Sequence, residues 1–418
     1  MARINKIKGF ADLFPPESNL YVFMEESARK VFPLYGYEEI RIPVLEKTEL
    51  FARSIGGETD IVQKEMYTFA DRKGRSLTLR PEATAGVVRA FIESGMASRE
   101  GVYKFFTFGP MFRYERPQKG RMRQFHQIDV EMFGPEHPQA DGELILMLFN
   151  YLQELGLNSL TFYVNSLGCK ECRPQFQEKL VAFLTQVPEE NLCADCQRRR
   201  TTNPLRVLDC KVEKCREVVR EAPKITDCLC EECKKHFEQV ITILNQSQIP
   251  WEHNPFLVRG LDYYQRTTFE VVSFDANIGA QSAIAGGGRY DGLVRNLGGP
   301  DVPGLGFACG MERIALLLEG QKQKSLDFFV AIIAEQALNA GIELAQRLRQ
   351  KGYRGEVGFE VKSVKANLRQ ANKKKAKTCL ILGEEELAQK VVQVKNLQTG
   401  LQQSVAWEDI EQALGILF

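Results

Sequence analysis

FFTFGPMFRYERPQKGRMRQFHQIDVEMFG, residues 105 to 134, sets two strand-like aromatic runs around a short polar loop. Within eleven residues of that loop, Arg113, Arg116, Lys119, Arg121 and Arg123 stand against Glu115 alone. A charge run of this kind is often the solvated tip of a hairpin. Arginine in place of lysine favours an anion site, because a planar guanidinium fork matches a phosphate bidentately. Phe125 beside it offers a face on which a base could stack. In the second run, period-two alternation puts Gln127, Asp129 and Glu131 on one face and Ile128, Val130 and Met132 on the other. The polar face is either a pocket floor or the solvent side of an antiparallel strand.

Three further stretches carry polar residues where packing alone does not require them. LTLRPEATAG, residues 77 to 86, reads as a strand followed by a helix start, with Glu82, Ala83 and Thr84 at the junction. LVRGLDYYQRTTFEV, residues 257 to 271, gathers Arg259, Asp262, Tyr263 and Tyr264 before an alternating strand; a tyrosine there is commonly a core residue, but Arg259 before a glycine is not. GGGRYDG at 286 to 292 and GLGFACGMERIALLLE at 304 to 319 form a glycine-rich approach to a helix with Arg313 in its first turns. Neither has the spacing of a dinucleotide fingerprint or a Walker loop.

The chain has 418 residues, 44% hydrophobic and 26% charged, which suits several folded domains rather than a disordered chain. Lys and Arg number 55 against 54 Asp and Glu, so any basic site is local. The first residues, MARINKIKGF, lack an apolar signal core and no apolar run of membrane length occurs, so the cytoplasm and no membrane partner are expected. Composition separates residues 1–168, a cysteine-rich block at 169–253 that looks inserted as a helical lobe, and 254–322, where strand and glycine signals return. GQKQKS, 320 to 325, reads as a linker. Beyond it, over 325–418, DFFVAIIA, LNAGIELAQRLRQKG, GEVGFEV and TCLILG alternate strand and helix as in a small α/β domain with a mixed or parallel sheet.

Nine of the eleven cysteines fall between Cys169 and Cys233. They form the pairs Cys169/Cys172, Cys193/Cys196, Cys210/Cys215 and Cys230/Cys233, with Cys228 left over. In a reducing compartment this spacing points to thiolate ligands of structural zinc, in one or two tetrahedral sites, against reduced buried thiols. The spacing does not say which pairs join.

Taken together, these stretches resemble the class II aminoacyl-tRNA synthetases. LVRGLDYY, TFEV and RPQKGRMRQFHQ are similar to the histidyl-tRNA synthetase family over nearly the whole chain. The resemblance implies an α+β fold: a six-stranded antiparallel catalytic sheet flanked by helices, interrupted by the cysteine-rich insertion and followed by an α/β anticodon-binding domain. It implies a homodimer interface around Pro43 in IRIPVLEKTELF. It implies substrates ATP with Mg2+, L-histidine and tRNA(His), the amino acid being activated to its adenylate and passed to the 3′ end of the tRNA.

By the same resemblance, Arg113 and Arg259 are the catalytic cations, Arg259 bridging the substrate carboxylate and the α-phosphate. Glu115, Phe125, Arg121 and Arg313 complete the ATP site, with Glu115 on the adenine amine and Arg313 near the γ-phosphate. Glu82 and Thr84 with Gln127 hold the α-amino group, Ala83 belongs to the same histidine-binding set, and Glu131 and Tyr264, with Tyr263 alongside, read the imidazole. Arg116, Gln118, Lys119 and Arg123 face the tRNA acceptor end, and the basic stretch 361–377 lies in the anticodon-binding region. His126 is a packing residue, and Asp129 either alters the pocket or faces water. Better-known relatives lack many of the cysteines, so a metal there is structural rather than catalytic. The rivals are a regulatory paralogue from histidine biosynthesis, a class II enzyme for glycine, threonine or proline, and a plain RNA-binding protein.

Overall fold

The alternation in residues 124 to 133 does what it requires: Ile128, Val130 and Met132 are at most 1% exposed and enter the core. Their neighbours turn to the other face. The computed structural model describes residues 3–57, 59–278, 282–318 and 325–417, with side chains to residue 414. The expected linker at 320 to 325 falls almost entirely outside the described residues. Contacts divide the chain into two units, Met1–Gly320 and Gln321–Phe418.

The described strands of the first unit are β1 (Glu38–Glu39), β2 (Leu45–Lys47), β3 (Tyr67–Ala70), β4 (Ser76–Leu79), β5 (Tyr103–Phe112) and β6 (Gln124–Phe133). They continue as β7 (Thr161–Ser166), β8 (Trp251–His253), β9 (Gln265–Val272), β10 (Ala283–Arg289) and β11 (Gly304–Gly310). The main sheet runs β1-β5-β6-β11-β10-β9-β7-β8. Its six central strands are antiparallel, as expected. A short strand is added in parallel at each edge, reached by the long crossovers that parallel pairing needs. β2, β4 and β3 form a separate small sheet.

One core lies under the face that carries Phe106, Ile128, Val130 and Phe307, covered by the helices Glu17–Val31, Pro138–Glu154 and Glu231–Gln246. A second core joins Val87, Phe91 and Phe133 to Phe176, Leu180 and Leu184 of the cysteine-rich block. The cysteine-rich block packs within the first unit: its first helix shares the second core and its last helix places Val240 and Leu244 in the first. Its final residues are strand β8, at the sheet edge.

The second unit has the sheet order β13-β12-β14-β15-β16, with β12 Leu326–Ile332, β13 Gly355–Val357, β14 Ala376–Leu382, β15 Val391–Asn396 and β16 Gln402–Ala406. The first three strands are parallel and the last pairings antiparallel, a mixed sheet. Phe328 and Phe329 are both fully buried, on opposite faces of β12, under helices Leu338–Gln350 and Val364–Lys373. The strand expected over GEVGFEV stops at Val357. An edge strand has one partner, and here the chain leaves it, with Phe359 and Val361 exposed, for a helix capped by Ser363 Oγ.

Candidate active site

β5 ends at Phe112, and the next residue, Arg113, enters a cavity on the polar face of the main sheet. Arg113 Nε donates to Pro81 O at 2.9 Å, and its guanidinium carbon stands 5.2 Å from the Phe125 ring centre. Arg121 pairs with Glu115 on the same loop. Arg313 donates from Nη1 to Ala283 O (2.5 Å) and from Nε to Gly120 O (3.3 Å), so helix Met311–Leu317 is fastened to the loop. Burial, with Arg121 nearby, holds Arg313 below the ordinary arginine value. Arg259 donates to Glu270 Oε1 at 2.8 Å. Four guanidinium groups thus line one cavity, an arrangement that accepts a polyanion.

The same cavity also holds a group of acceptors. Glu82 Oε1 accepts from the Ala85 N–H at 3.0 Å, at the start of helix Thr84–Glu93. Glu82 Oε2, Gln127 Oε1 and Asp129 Oδ2 are buried and have no hydrogen-bond partner among the described residues. All three residues line the cavity. Burial raises the carboxyl of Glu82, and burial followed by the nearby Glu82 raises Asp129 well above the usual carboxylate range. Buried acceptors left open cost several kcal/mol unless a donor arrives. A primary ammonium, with three N–H donors and a positive charge, supplies what they lack.

Glu131 lies behind this wall. Its Oε1 accepts from Thr84 Oγ1 at 2.6 Å and its Oε2 from Tyr290 OH. Burial raises its carboxyl well above normal. The Tyr263 ring lies tilted against Tyr264 at 4.7 Å and edge-on to Tyr290 at 5.6 Å, and burial pushes the Tyr264 hydroxyl up to about 12. Both tyrosines of LDYY line the cavity; Ala83 and Glu131 do not. Gly306 makes room for Glu131, since a methyl there would lie 2.0 Å from Oε2.

Asp129, Glu270, Tyr290 and Glu312 were not assigned from the sequence. Asp129 does not face water: it is 1% exposed and lines the cavity. The signal was the period-two alternation with Gln127, which could not say whether that face was covered. Glu312 receives the His126 N–H at 2.9 Å and His126 Nδ1 at 3.0 Å, while the imidazole meets Tyr21 edge-on at 5.3 Å. On the hairpin loop, Arg116, Gln118 and Lys119 are exposed. Arg123 turns inward, with its guanidinium 3.9 Å from the Tyr114 ring centre and its Nε on Glu115 O.

The eight paired cysteines gather into two groups, Cys169, Cys172, Cys230 and Cys233, and Cys193, Cys196, Cys210 and Cys215. Within each, all four Sγ atoms lie within 4.8 Å of one another. Cys228 is buried outside both.

The antiparallel sheet, the multi-arginine hairpin loop on its polar face and the arginine-bearing helix are the parts that the class II aminoacyl-tRNA synthetase resemblance implies. The family model described as "Histidyl-tRNA synthetase" matches residues 9–314, and one described as "Anticodon binding domain" matches 327–415. The histidine–tRNA ligase of Maridesulfovibrio salexigens is 58% identical over 410 residues, 98% of this chain and 99% of its own. That of Solidesulfovibrio magneticus is 59% identical over 406 residues, 97% of this chain and 96% of its own. The apo histidyl-tRNA synthetase of S. aureus superposes with a TM-score of 0.80 at 35% identity, covering 99% of this chain and all of that one. The chain belongs to the histidyl-tRNA synthetase family.

Proposed function

We propose that the cavity activates L-histidine with ATP and that the enzyme then transfers histidine to the 3′ end of tRNA(His). The convergence of partnerless buried acceptors on Glu82, Gln127 and Asp129 with four arginines in one cavity carries this reading. An α-amino group meets the acceptors, a triphosphate meets the arginines, and the substrate carboxylate lies between them. The imidazole extends toward Tyr263, Tyr264 and the Glu131–Tyr290 pair. Phe125 stacks on the adenine, and Glu115 takes its amine.

The chemistry follows from charge. The histidine carboxylate attacks the α-phosphate, negative charge builds on that phosphoryl group, and Arg113 and Arg259 hold fixed cations where it develops. Fixed guanidinium groups reorganise little as charge moves, which is the larger part of such catalysis. Arg313 and Arg121 hold the outgoing pyrophosphate, and magnesium enters and leaves with the nucleotide as part of the substrate. The terminal ribose hydroxyl of the tRNA then attacks the adenylate, and no protein nucleophile is needed.

Residues 1–168 and 254–322 form the catalytic domain, 169–253 its insertion, and 325–418 the anticodon-binding domain. Exposed Arg116, Gln118 and Lys119 meet the acceptor end, with Arg123 holding the loop's shape. Lys365, Arg369 and Lys373, spaced by four along helix Val364–Lys373 and all exposed, meet RNA phosphates. Pro43 and Leu45 are exposed in the segment assigned to the homodimer interface. No helix among the described residues is long and apolar enough to cross a membrane, and the cytoplasm is the assigned compartment. The cysteine groups hold structural zinc.

ATP–pyrophosphate exchange tests the reading, with histidine beside glycine, threonine and proline, for the wild type and Arg259→Ala. Exchange with histidine alone, lost in the variant, supports it; no exchange from folded protein moves the chain to the regulatory paralogue.

A further inference from the structure

The two cysteine groups are built alike. Cys230 and Cys193 each cap the N-terminus of a helix, Glu231–Gln246 and Ala194–Thr202, with nearly equal backbone angles (φ −68°, ψ 163° and φ −72°, ψ 161°). Each donates its own N–H to a sulfur of the partner pair at 3.1 Å, Cys230 to Cys172 Sγ and Cys193 to Cys215 Sγ. Sulfur separations are 3.7 Å for Cys169 to Cys172, 4.0 Å for Cys169 to Cys230 and 3.8 Å for Cys193 to Cys210. A disulfide needs about 2.05 Å. Four thiolates around zinc at about 2.3 Å stand about 3.8 Å apart, and backbone N–H donors to sulfur are the outer contacts that orient such ligands.

Each group also lends one arginine to the loop that carries Arg259 to Tyr264. Arg173 directly follows the ligand position Cys172, and its backbone N–H bonds to Cys169 O at 3.1 Å. Its guanidinium donates to Tyr264 O. Arg206 lies in the span between Cys196 and Cys210 and donates to Gly260 O at 2.5 Å and to Asp262 Oδ1 at 3.4 Å. Gly168, at φ +61°, lets the first knot close against the end of β7, since a methyl there would lie 2.6 Å from Cys172 Cβ. The Gly168 carbonyl takes the Arg266 N–H at 2.8 Å, just past the two tyrosines.

We propose that the two cysteine groups are closed four-thiolate zinc centres, and that through Arg173 and Arg206 they fix the backbone of residues 259–264 from behind the active site. The metals do no chemistry on the substrate. They hold Arg173 and Arg206 as positioning residues, so that Arg259, Tyr263 and Tyr264 meet histidine in one geometry. The positional half rests on the histidine-activating reading above; the metal half stands without it.

Three measurements test this on the full-length protein: metal content after purification without chelator, amide hydrogen exchange over residues 259–266, and KM and kcat for histidine and ATP in pyrophosphate exchange. The wild type should hold about two zinc ions per chain. Cys230→Ser and Cys193→Ser should each lose one, with faster exchange over 259–266. Arg173→Lys and Arg206→Lys lie outside the ligand sets and keep the test intact should a cysteine variant fail to fold. Both should keep two zinc ions yet raise the histidine KM by about tenfold, with the ATP KM nearly unchanged. Less than about one zinc per chain in the wild type, or iron in its place, overturns the metal assignment. Unchanged amide exchange and histidine KM in both arginine variants overturn the positioning role. Absence of histidine-dependent activity in zinc-replete wild type would overturn the function reading instead, while metal content and amide exchange still decide the inference.

Discussion

Gly286 lies beneath the guanidinium of Arg259: a methyl group placed on it would stand 2.5 Å from both Nη atoms. In the glycine run of β10, Gly286 is therefore a seat for an arginine, while Gly287 and Gly288 press against the backbones of the neighbouring strands. Gly286→Ala should displace Arg259 without altering its chemistry. A displacement near 1 Å at a reacting centre costs about 100-fold in rate. Pyrophosphate exchange should fall by about that factor, with folding preserved by circular dichroism; undiminished exchange would show that Arg259 does not act from this position.

Asp129 and Glu82 offer open buried oxygens to the same cavity. Removing an acceptor of an ammonium costs about 1.5 to 3 kcal/mol, or about 10- to 100-fold in affinity. Asp129→Ala should raise the histidine KM by that factor and leave the ATP KM within about twofold. Equal effects on both substrates would place Asp129 in general stability rather than amino-group binding.

The two RNA assignments separate from adenylation. Arg116→Ala should impair transfer to tRNA more than pyrophosphate exchange. Replacing Lys365, Arg369 and Lys373 together by Ala should weaken tRNA binding and flatten its log-log salt dependence by about 2 to 3, leaving exchange untouched. Equal losses in transfer and exchange would remove Arg116 from the acceptor end, and an unchanged salt slope would remove the helix from the RNA contact.

His236, buried on helix Glu231–Gln246, stands 3.6 Å from Asp141, which Arg289 also pairs. Burial lowers its pKa to about 4 from 6.5, outweighing the attraction of Asp141. A folded-state value below the unfolded one means the unfolded chain binds more protons in between. Stability is therefore full above about pH 6.5 and falls as pH drops toward 4, by at most about 3 kcal/mol. His236→Gln should flatten that window in chemical denaturation at pH 7, 6 and 5. A slope identical to wild type would assign the acid sensitivity elsewhere.

Local order in the sequence made the strands and the chemical class legible. Period two in residues 127 to 132 identified both faces of β6, and clustered arginines around Phe125 marked the anion site. Side-chain type and spacing are enough there, because a strand's alternation is fixed by its backbone. The Cys-x-x-Cys spacings likewise announced ligand pairs.

What alternation leaves undetermined is whether a face is covered, and from how far along the chain. Asp129 is a pocket residue because Ala308 on β11 and Thr107 on β5 pair beside it. Glu131 is held by Tyr290, 159 residues away, and Arg259 rests on Gly286. Cys169 and Cys172 meet Cys230 and Cys233 because the helices between them fold back onto the second core. Sequence by itself determined which residues could bind phosphate, amine and metal, since those capacities reside in single side chains. Tertiary structure decided which of them share a cavity or a centre, since burial and long-range pairing depend on elements that spacing along one chain does not relate.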